Sequence, residues 1–192
     1  MRFSFTTKSY GQEIILAPIT LTLTKNQIIV LMGPSGSGKT TLLKLMAGLE
    51  KDDHQNPNTD LNIGMMFQEP RLLPWKTVQE NIELAGPINH LLKELDLEDA
   101  AAFYPRQISL GMARRVAFAR ALASTPDLLL LDEPFASLDE DRVILMQNLI
   151  LSAKEKLDIP IVMTTHDRRE AQALNAKIYR LEGRPASLIS VE

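Results

Sequence analysis

The chain has 192 residues and a mass of 21.5 kDa, a length that predicts one domain over residues 1–192. Hydrophobic residues make up 45% of it and charged residues 23%, a balance that provides a core and excludes disorder as the main state. The 24 acidic residues outnumber the 21 basic ones, and the net charge of -3 disfavours a general nucleic-acid binder.

Membrane and secretion signals are missing from the sequence. No apolar stretch reaches the roughly 18 to 20 residues that a bilayer-spanning helix needs. The N-terminus lacks the apolar segment of a secretory signal, and without cysteine there are no disulfides or thiolate metal sites. We therefore expect a cytoplasmic chain whose role at a membrane, if it has one, comes from docking onto another protein.

Short apolar runs rich in Ile and Val predict the strands. The last five include continuous apolar runs, which is typical of strands covered on both faces in a parallel sheet. The predicted strands are Ile14–Leu16, Ile19–Leu23, Ile28–Met32, Ile63–Phe67, Leu128–Leu131, Ile161–Thr165 and Ile178–Leu181.

Helical patterns lie between these runs. Two capping boxes, Thr77-x-x-Glu80 and Ser137-x-x-Glu140, predict helix starts, and Asp167 is a candidate cap for the last helix. The predicted helices are Lys39–Leu49, Val78–Leu84, Ile88–Leu95, Leu110–Ala123, Leu138–Leu157 and Arg168–Leu174. The alternation predicts an α/β domain with a mostly parallel sheet.

The strongest motif is G-x-x-x-x-G-K-[ST], between a predicted strand and a predicted helix. Glycines let the backbone curl around phosphates, and the helix N-terminus adds partial positive charge. The lysine of this motif reaches the β- and γ-phosphates, and the hydroxyl binds Mg²⁺. The alternative is a Gly/Ser turn beside a surface lysine. The motif consists of Gly33, Pro34, Ser35, Gly36, Ser37, Gly38, Lys39 and Thr40.

Two acids follow the apolar run Leu128–Leu131. They place carboxylates at the carboxyl edge of the sheet, where open α/β folds bind ligands. Asp132 is predicted to hold Mg²⁺, and Glu133 to orient the attacking water. An ordinary acidic turn is the alternative, and the phosphate-loop motif upstream disfavours it.

A third motif, Ile108-Ser109-Leu110-Gly111-Met112, opens a long helix. Read in this order, the three motifs resemble the nucleotide-binding domain of ATP-binding cassette (ABC) transporters over nearly the whole chain. The resemblance implies a P-loop NTPase fold with a mostly parallel central sheet, a small antiparallel β part at the N-terminus and a helical lobe over about residues 76–124.

The resemblance also implies roles for single residues. Tyr10 corresponds to the aromatic that stacks on adenine, although an ordinary strand aromatic is an equal alternative. Gln68 corresponds to the glutamine that contacts Mg²⁺ and water and senses the membrane partner, and His166 to the histidine that hydrogen-bonds the γ-phosphate. Further implied nucleotide contacts are Thr41, Ser109, Gly111 and, in the loop that crosses the dimer interface, Asp139.

In such proteins ATP and Mg²⁺ lie between two head-to-tail copies. The phosphate loop of one copy and the helix after Ser109 of the other hold the nucleotide from both sides. The implied partners are a second copy or a homologous ATPase subunit, integral-membrane permease subunits and, indirectly, a substrate-binding protein. The implied location is peripheral, on the inner face of the cell membrane. The string Gln68–Trp75 further resembles importers of the nitrate, sulfonate and taurine group.

Leu110 departs from the family pattern because glycine normally stands there. A side chain at this point crowds the approach to phosphate, so weaker closure or turnover is expected. Two alternatives stay open: a nucleotide-gated binding module with little turnover, and a soluble ABC ATPase outside transport. A GTPase is disfavoured since no Asn-Lys-x-Asp motif is present.

Three arginines, Arg114, Arg115 and Arg120, are predicted to lie on a solvated or salt-bridged helix face. The stretches between Leu49 and Ile63 and from Gln68 to Ser109 are short for the family, and no regulatory C-terminal domain is expected.

Overall fold

Strands with apolar side chains on both faces build the centre of the molecule. The computed structural model describes residues 1–54, 60–88 and 90–191. The strands are β1 Arg2–Phe5, β2 Lys8–Tyr10, β3 Glu13–Leu16, β4 Ile19–Thr22, β5 Ile28–Met32, β6 Ile63–Met66, β7 Leu128–Asp132, β8 Ile161–Thr164, β9 Lys177–Gly183 and β10 Ala186–Val191.

Eight strands form one sheet in the order β2-β3-β10-β9-β5-β8-β7-β6. The five strands from β9 to β6 run parallel, with β5 between β9 and β8. β10 pairs antiparallel with β9 and β2 antiparallel with β3, while β1 and β4 form a separate antiparallel pair. The predicted fold class is therefore confirmed.

The helices lie on both faces of the sheet. They are α1 Lys39–Met46, α2 Val78–Glu83, α3 Leu91–Glu94, α4 Leu110–Ala123, α5 Glu140–Leu157 and α6 Arg168–Ala173, with short 3₁₀ turns at Glu98–Ala100 and Pro105–Gln107. Between β6 and β7, residues 67–88 and 90–127 contain no strand, and α2 and α3 pack against α4. None of the helices in the described ranges is both long and apolar enough to span a bilayer.

The core has two layers because side chains alternate along each strand. On β5, Ile28 and Val30 face a cluster that includes α4 and α5, whereas Ile29 and Leu31 face one that includes α1, β1 and β4. Both faces of the central strands are thereby covered, which explains their continuous apolar runs.

Two of the three predicted caps are confirmed. Glu80 donates its backbone N–H to the Thr77 hydroxyl at 3.2 Å, and its carboxylate accepts the Thr77 N–H at 2.8 Å. Asp167 caps α6 by accepting the N–H of Arg169 at 2.8 Å.

The third predicted cap, at Ser137, is wrong. Ser137 has a φ of +60°, which places it in a tight turn before the helix. Asp139 caps α5 instead, with its carboxylate 3.1 Å from the N–H of Arg142. The helix therefore begins two residues later than predicted.

All seven predicted strands are present, and β1, β2 and β10 are additional. The chain forms the further strand β10 after the one predicted at Ile178–Leu181. Part of the short stretch between Leu49 and Ile63, residues 55–59, lies outside the described residues.

Candidate functional site

A cleft of about 660 Å³ opens at the carboxyl ends of the parallel strands. The phosphate-loop motif follows β5, Gln68 follows β6, Glu133 follows β7 and His166 follows β8. Because these strands are parallel, the four segments meet at one edge of the sheet. The cleft is lined by Tyr10, Ile15, Gly33, Pro34, Ser35, Gly36, Gly38, Lys39, Thr40, Thr41, Gln68, Glu133 and His166.

The loop after β5 requires glycine at its two ends. A Cβ on Gly33 would lie 2.8 Å from the backbone oxygen of Leu181, and one on Gly38 would lie 2.6 Å from a methyl carbon of Leu16. Both residues also have positive φ, +153° and +92°. The loop can therefore keep its curled backbone and pack closely against the sheet only with glycine at these two positions.

Lys39 closes this loop from inside. Its ammonium donates to the backbone oxygens of Gly33 at 2.9 Å and Pro34 at 3.0 Å, and the residue is only 8% exposed. No acidic side chain lies in the first turn of α1. The ammonium and the helix N-terminus together make this wall of the cleft positive, as phosphate binding requires.

Ser37 adds an observation that points to a ligand. Its hydroxyl oxygen is buried and has no hydrogen-bond partner among the residues that the structure describes. Buried polar atoms are rarely left unpaired, so a partner from outside the chain fits this position.

Asp132 lies at the end of β7, where hydroxyl groups surround its carboxylate. Thr40 donates to one carboxylate oxygen at 2.9 Å, and Thr164 donates to the other at 2.7 Å. Hydroxyl and carboxylate oxygens suit Mg²⁺, which proteins usually bind with one or two carboxylates plus substrate phosphates. In the described ranges no cluster of three or more His, Cys, Asp or Glu could hold a metal ion.

Glu133 has a left-handed backbone, with φ at +46°. This conformation costs a residue with a side chain about 1 kcal/mol or more. The Glu133 N–H donates to the Thr164 hydroxyl at 2.8 Å, and the Gln68 amide lies 3.4 Å from the Glu133 carboxylate. The turn therefore directs the carboxylate into the cleft beside Gln68.

His166 follows β8 in a segment held by its neighbours. Thr165 donates its hydroxyl hydrogen to Glu170 and accepts the Asp167 N–H at 3.1 Å. Burial raises the pKa of Glu170, and hydrogen bonds from Arg169 lower the pKa of Asp167. His166 itself is exposed on the cleft side.

Tyr10 lies on the edge strand β2 and is 47% exposed. Its hydroxyl donates to Glu50, and the Lys8 ammonium lies 4.8 Å from the ring centroid. Burial is the main cause that raises the Tyr10 pKa, followed by the bond to Glu50. The ring therefore lines the cleft and is held at its hydroxyl, and its stacking on adenine stays a prediction.

The residues predicted around Ser109 do not line this cleft. Ser109, Gly111 and Arg142 line a separate groove of about 200 Å³. The Ser109 hydroxyl caps α4 by accepting the Met112 N–H at 3.2 Å. Asp139 caps α5 and forms an ion pair with Arg142 at 3.2 Å. One copy of the chain therefore has two separate halves of the predicted nucleotide site.

Leu110 is 48% exposed at the first position of α4. Next to it, a Cβ on Gly111 would lie 3.0 Å from the Arg142 side chain. The departure from glycine thus adds an apolar side chain to an exposed helix tip, and a side chain at Gly111 would require the Arg142 side chain to shift.

The prediction of a solvated or salt-bridged helix face is wrong for Arg114 and Arg120. Arg114 is 4% exposed and donates to the Glu133 backbone oxygen at 3.2 Å. Arg120 donates to the backbone oxygen of Pro70 at 2.9 Å. Arg115 does form an ion pair, with Asp96 at 3.0 Å.

Sequence reasoning missed Thr164 and Arg114 as neighbours of Glu133. The helix period of α4 gives no signal for Arg114. The residues three, four and seven positions after Arg114 are buried, but so are those after its ion-paired neighbour Arg115.

The glycine-rich loop between β5 and α1, together with the acids after β7, defines a phosphate-loop nucleotide-binding protein of the P-loop NTPase class. The family model for the ABC transporter matches residues 16–136. The chain belongs to the ABC transporter family.

Curated relatives and solved structures agree with this assignment. The chain is 38% identical over 189 residues to the aliphatic sulfonates import ATP-binding protein SsuB 1 of Pseudomonas savastanoi pv. phaseolicola, covering 94% of this chain and 80% of the relative. It is 40% identical to SsuB of Corynebacterium glutamicum, covering 91% and 77%. The dimeric post-hydrolysis structure of the ATP-binding cassette MJ0796, bound to ADP and Pi, has a TM-score of 0.84 at 28% identity, covering 100% of this chain and 99% of that one.

Proposed function

We propose that the chain is the ATP-hydrolysing subunit of an ABC importer, with residues 1–192 forming one nucleotide-binding domain. The observation that carries this proposal is the single cleft that collects Lys39, Gln68, Glu133 and His166 from four separate segments. Import follows the names of the relatives, which are import ATP-binding proteins.

The phosphate loop would bind the triphosphate of ATP. Phosphate oxygens would accept hydrogen bonds from the backbone N–H groups of Gly36 and Gly38 and from the Ser37 hydroxyl. On ligand binding, Lys39 would exchange its bonds with the Gly33 and Pro34 oxygens for bonds with phosphate. Tyr10 would stack on the base, with Thr41 at the same end of the cleft.

Thr40, Asp132 and Gln68 would hold Mg²⁺, which when bound supplies positive charge against the β- and γ-phosphates. Glu133 would orient the attacking water, and the Gln68 amide beside it would fix its carboxylate. His166, which also lines the cleft, would donate to the γ-phosphate. Catalysis by these residues consists of positioning and charge stabilisation.

Two copies would complete each site. Ser109, Gly111 and Asp139 lie outside the cleft of their own chain, so they would serve the nucleotide of a partner copy or a homologous subunit. The related MJ0796 cassette, solved as a dimer, supports this arrangement.

The subunit would act on the inner face of the cell membrane by docking onto integral-membrane permease subunits, with a substrate-binding protein as an indirect partner. Arg120 connects α4 to the backbone after Gln68, which gives a route from a permease contact to the cleft. Of the two alternatives, a module without turnover is disfavoured because Glu133 and Gln68 already lie side by side. An ABC ATPase outside transport is disfavoured because the named relatives are importers.

The test is the Glu133→Gln variant. We expect ATP hydrolysis to fall by about 100-fold or more, since a catalytic carboxylate is lost, and an ATP-bound dimer to accumulate on gel filtration. The Glu155→Gln variant, altered at an exposed position of α5, is the control and should hydrolyse ATP at the normal rate. A Glu133→Gln protein that stays monomeric at saturating ATP would contradict the two-copy site.

A further inference from the structure

The backbone of Glu133 is held at both of its polar groups. The N–H donates to the Thr164 hydroxyl at 2.8 Å, and the carbonyl oxygen accepts both from the Ala136 N–H within the turn and from Arg114, each at 3.2 Å. Because φ of Glu133 is +46°, this conformation persists only where the surroundings fix it. Thr164 belongs to the neighbouring strand β8, whereas Arg114 comes from a different part of the fold.

Arg114 is a costly residue for its position. It lies on the buried side of α4, and its Nε atom is buried without a hydrogen-bond partner in the described part of the chain. Burial lowers the pKa of its guanidinium, and the negative charge of Glu133 opposes this shift. An apolar side chain would fill the same space without burying a charge, so packing does not account for an arginine here.

Arg114 is also close to the tip of α4. It is five residues after Ser109, a rise of about 7.5 Å along the helix. The backbone between them is one hydrogen-bonded helix that begins at the Ser109 cap. A movement of this tip therefore moves Arg114, and Arg114 contacts Glu133 directly.

We propose that Arg114 is a positioning residue, which ties the signature helix α4 to the backbone of Glu133. The proposal rests on the proposed function, in which the α4 tip holds the partner's nucleotide while Glu133 acts on the nucleotide of its own copy. Arg114 then connects the two nucleotide sites of the dimer. Docking of one nucleotide on the tip sets the carboxylate that acts on the other.

The Arg114→Met variant tests this connection. We expect its kcat for ATP to fall about 10- to 100-fold, because a small displacement of a positioned group has effects of this size. The affinity of the monomer for a fluorescent ATP analogue should stay unchanged, since Arg114 does not line the cleft. The Hill coefficient for ATP should fall toward unity, and Arg114→Lys, which keeps a donor, should recover part of both losses.

The matched control is Asp96→Asn. This change removes the ion pair of the adjacent Arg115 on the same helix and leaves Glu133 untouched. We expect normal kcat and cooperativity from it. Equal loss in Asp96→Asn and Arg114→Met would overturn the proposal, because it would trace the effect to a loosened helix. Unchanged kcat in folded Arg114→Met would overturn it as well.

Hydrogen exchange supplies a measurement that does not depend on turnover. In Arg114→Met, or in Arg114→Gln where the methionine variant does not fold, the Glu133 amide should exchange faster than in the parent protein. Unchanged protection of this amide would show that Arg114 does not hold the turn. If the parent protein binds ATP but hydrolyses none, the proposed function fails, while the exchange result still decides whether Arg114 fixes Glu133.

Discussion

The N-terminus of α1 and the N-terminus of α4 are two helix starts with different chemistry. Gly38 precedes α1 with a left-handed backbone and no side-chain cap, so the first N–H groups of α1 remain available to a ligand. Ser109 precedes α4 and its hydroxyl already accepts the Met112 N–H. The first start is built to receive an anion on its own chain, whereas the second is a capped helix with an exposed Leu110 at its tip.

The two regions also differ in how their charge is arranged. Lys39 is buried inside its loop, and the Ser37 hydroxyl of the same loop has no hydrogen-bond partner within residues 1–54, 60–88 and 90–191. Arg142 near the α4 tip is half-exposed and paired with Asp139. The comparison teaches that the two helix starts suit different tasks. Under the proposed function, the α1 side would bind nucleotide within one copy, and the α4 side would contribute only when a second copy brings a nucleotide to it.

The largest effect expected from this comparison is on nucleotide binding by the monomer. Lys39→Ala removes a charge-assisted contact with phosphate worth about 1.5 to 3 kcal/mol, so affinity for ATP should fall about 10- to 100-fold. Isothermal titration calorimetry at a protein concentration that keeps the chain monomeric measures this loss.

Ser109→Ala is the matched change on the other helix start. It should leave monomer affinity for ATP as it was and lower the unfolding temperature slightly, because an N-cap contributes about 1 kcal/mol. Equal losses of ATP affinity in Lys39→Ala and Ser109→Ala would contradict the view that only the N-terminus of α1 binds nucleotide in the monomer.

A smaller effect is expected at Leu110. Replacing it with glycine removes a side chain from the α4 tip, where the nucleotide of the partner copy would dock. Relief of steric crowding between side chain and nucleotide is worth about 1 kcal/mol or more. ATP-dependent dimerisation in the Glu133→Gln background should therefore tighten about fivefold, measured by analytical ultracentrifugation.

The glycine should at the same time lower the unfolding temperature slightly, since it is a weaker helix former than leucine. The Ile144→Gly variant, on the half-exposed face of α5, controls for that loss of stability. Ile144→Gly should not tighten the dimer. If both variants tighten it, the tighter dimerisation does not come from the change at the α4 tip.

The smallest effect concerns the pH dependence of the segment around His166. Burial raises the folded-state pKa of Glu170 above its ordinary value of 4.5. The folded protein then binds more protons than the unfolded one between 4.5 and the raised pKa. The contribution of Glu170 to the free energy of unfolding therefore decreases as the pH rises through this window.

Glu170→Gln should remove this contribution. Urea unfolding of both proteins across this pH window measures the difference in their free energies of unfolding. Carboxylates with a lowered pKa, such as Glu80 and Asp167, give the opposite pH dependence in both proteins, and their contribution cancels in this difference. Parallel pH profiles for the two proteins would contradict the buried state of the Glu170 carboxyl.

Prediction from the sequence succeeded where neighbouring residues decide the outcome. The strands β5, β7 and β8 consist mainly of short, continuous apolar runs, and the Thr77 box and the Asp167 cap depend on residues within one helical turn. The sequence does not predict the edge strand β2, because apolar and polar residues alternate little along its three residues. It does not predict β10 either, because that segment becomes a strand by pairing with β9.

The wrong predictions at Ser137 and Arg114 share one cause, which is that the three-dimensional surroundings of each residue differ from what its local sequence pattern predicts. Ser137 satisfies the capping pattern, but the turn after β7 gives it a positive φ and leaves the cap to Asp139. Arg114 is buried, although charge usually marks the solvent-exposed side of a helix. Its contact with Glu133 joins residues that are 19 positions apart, which no local pattern reveals.

By itself the sequence determined the loop chemistry, since glycines at 33 and 38 followed by Lys39 serve phosphate in any strand–loop–helix context. It likewise determined the order of the motifs and, through them, the family. Only the tertiary structure decided which of those motifs share a cleft, because the parallel order of β5, β8, β7 and β6 brings their ends to one edge. The same packing placed Ser109 and Asp139 outside that cleft and put a buried arginine behind Glu133.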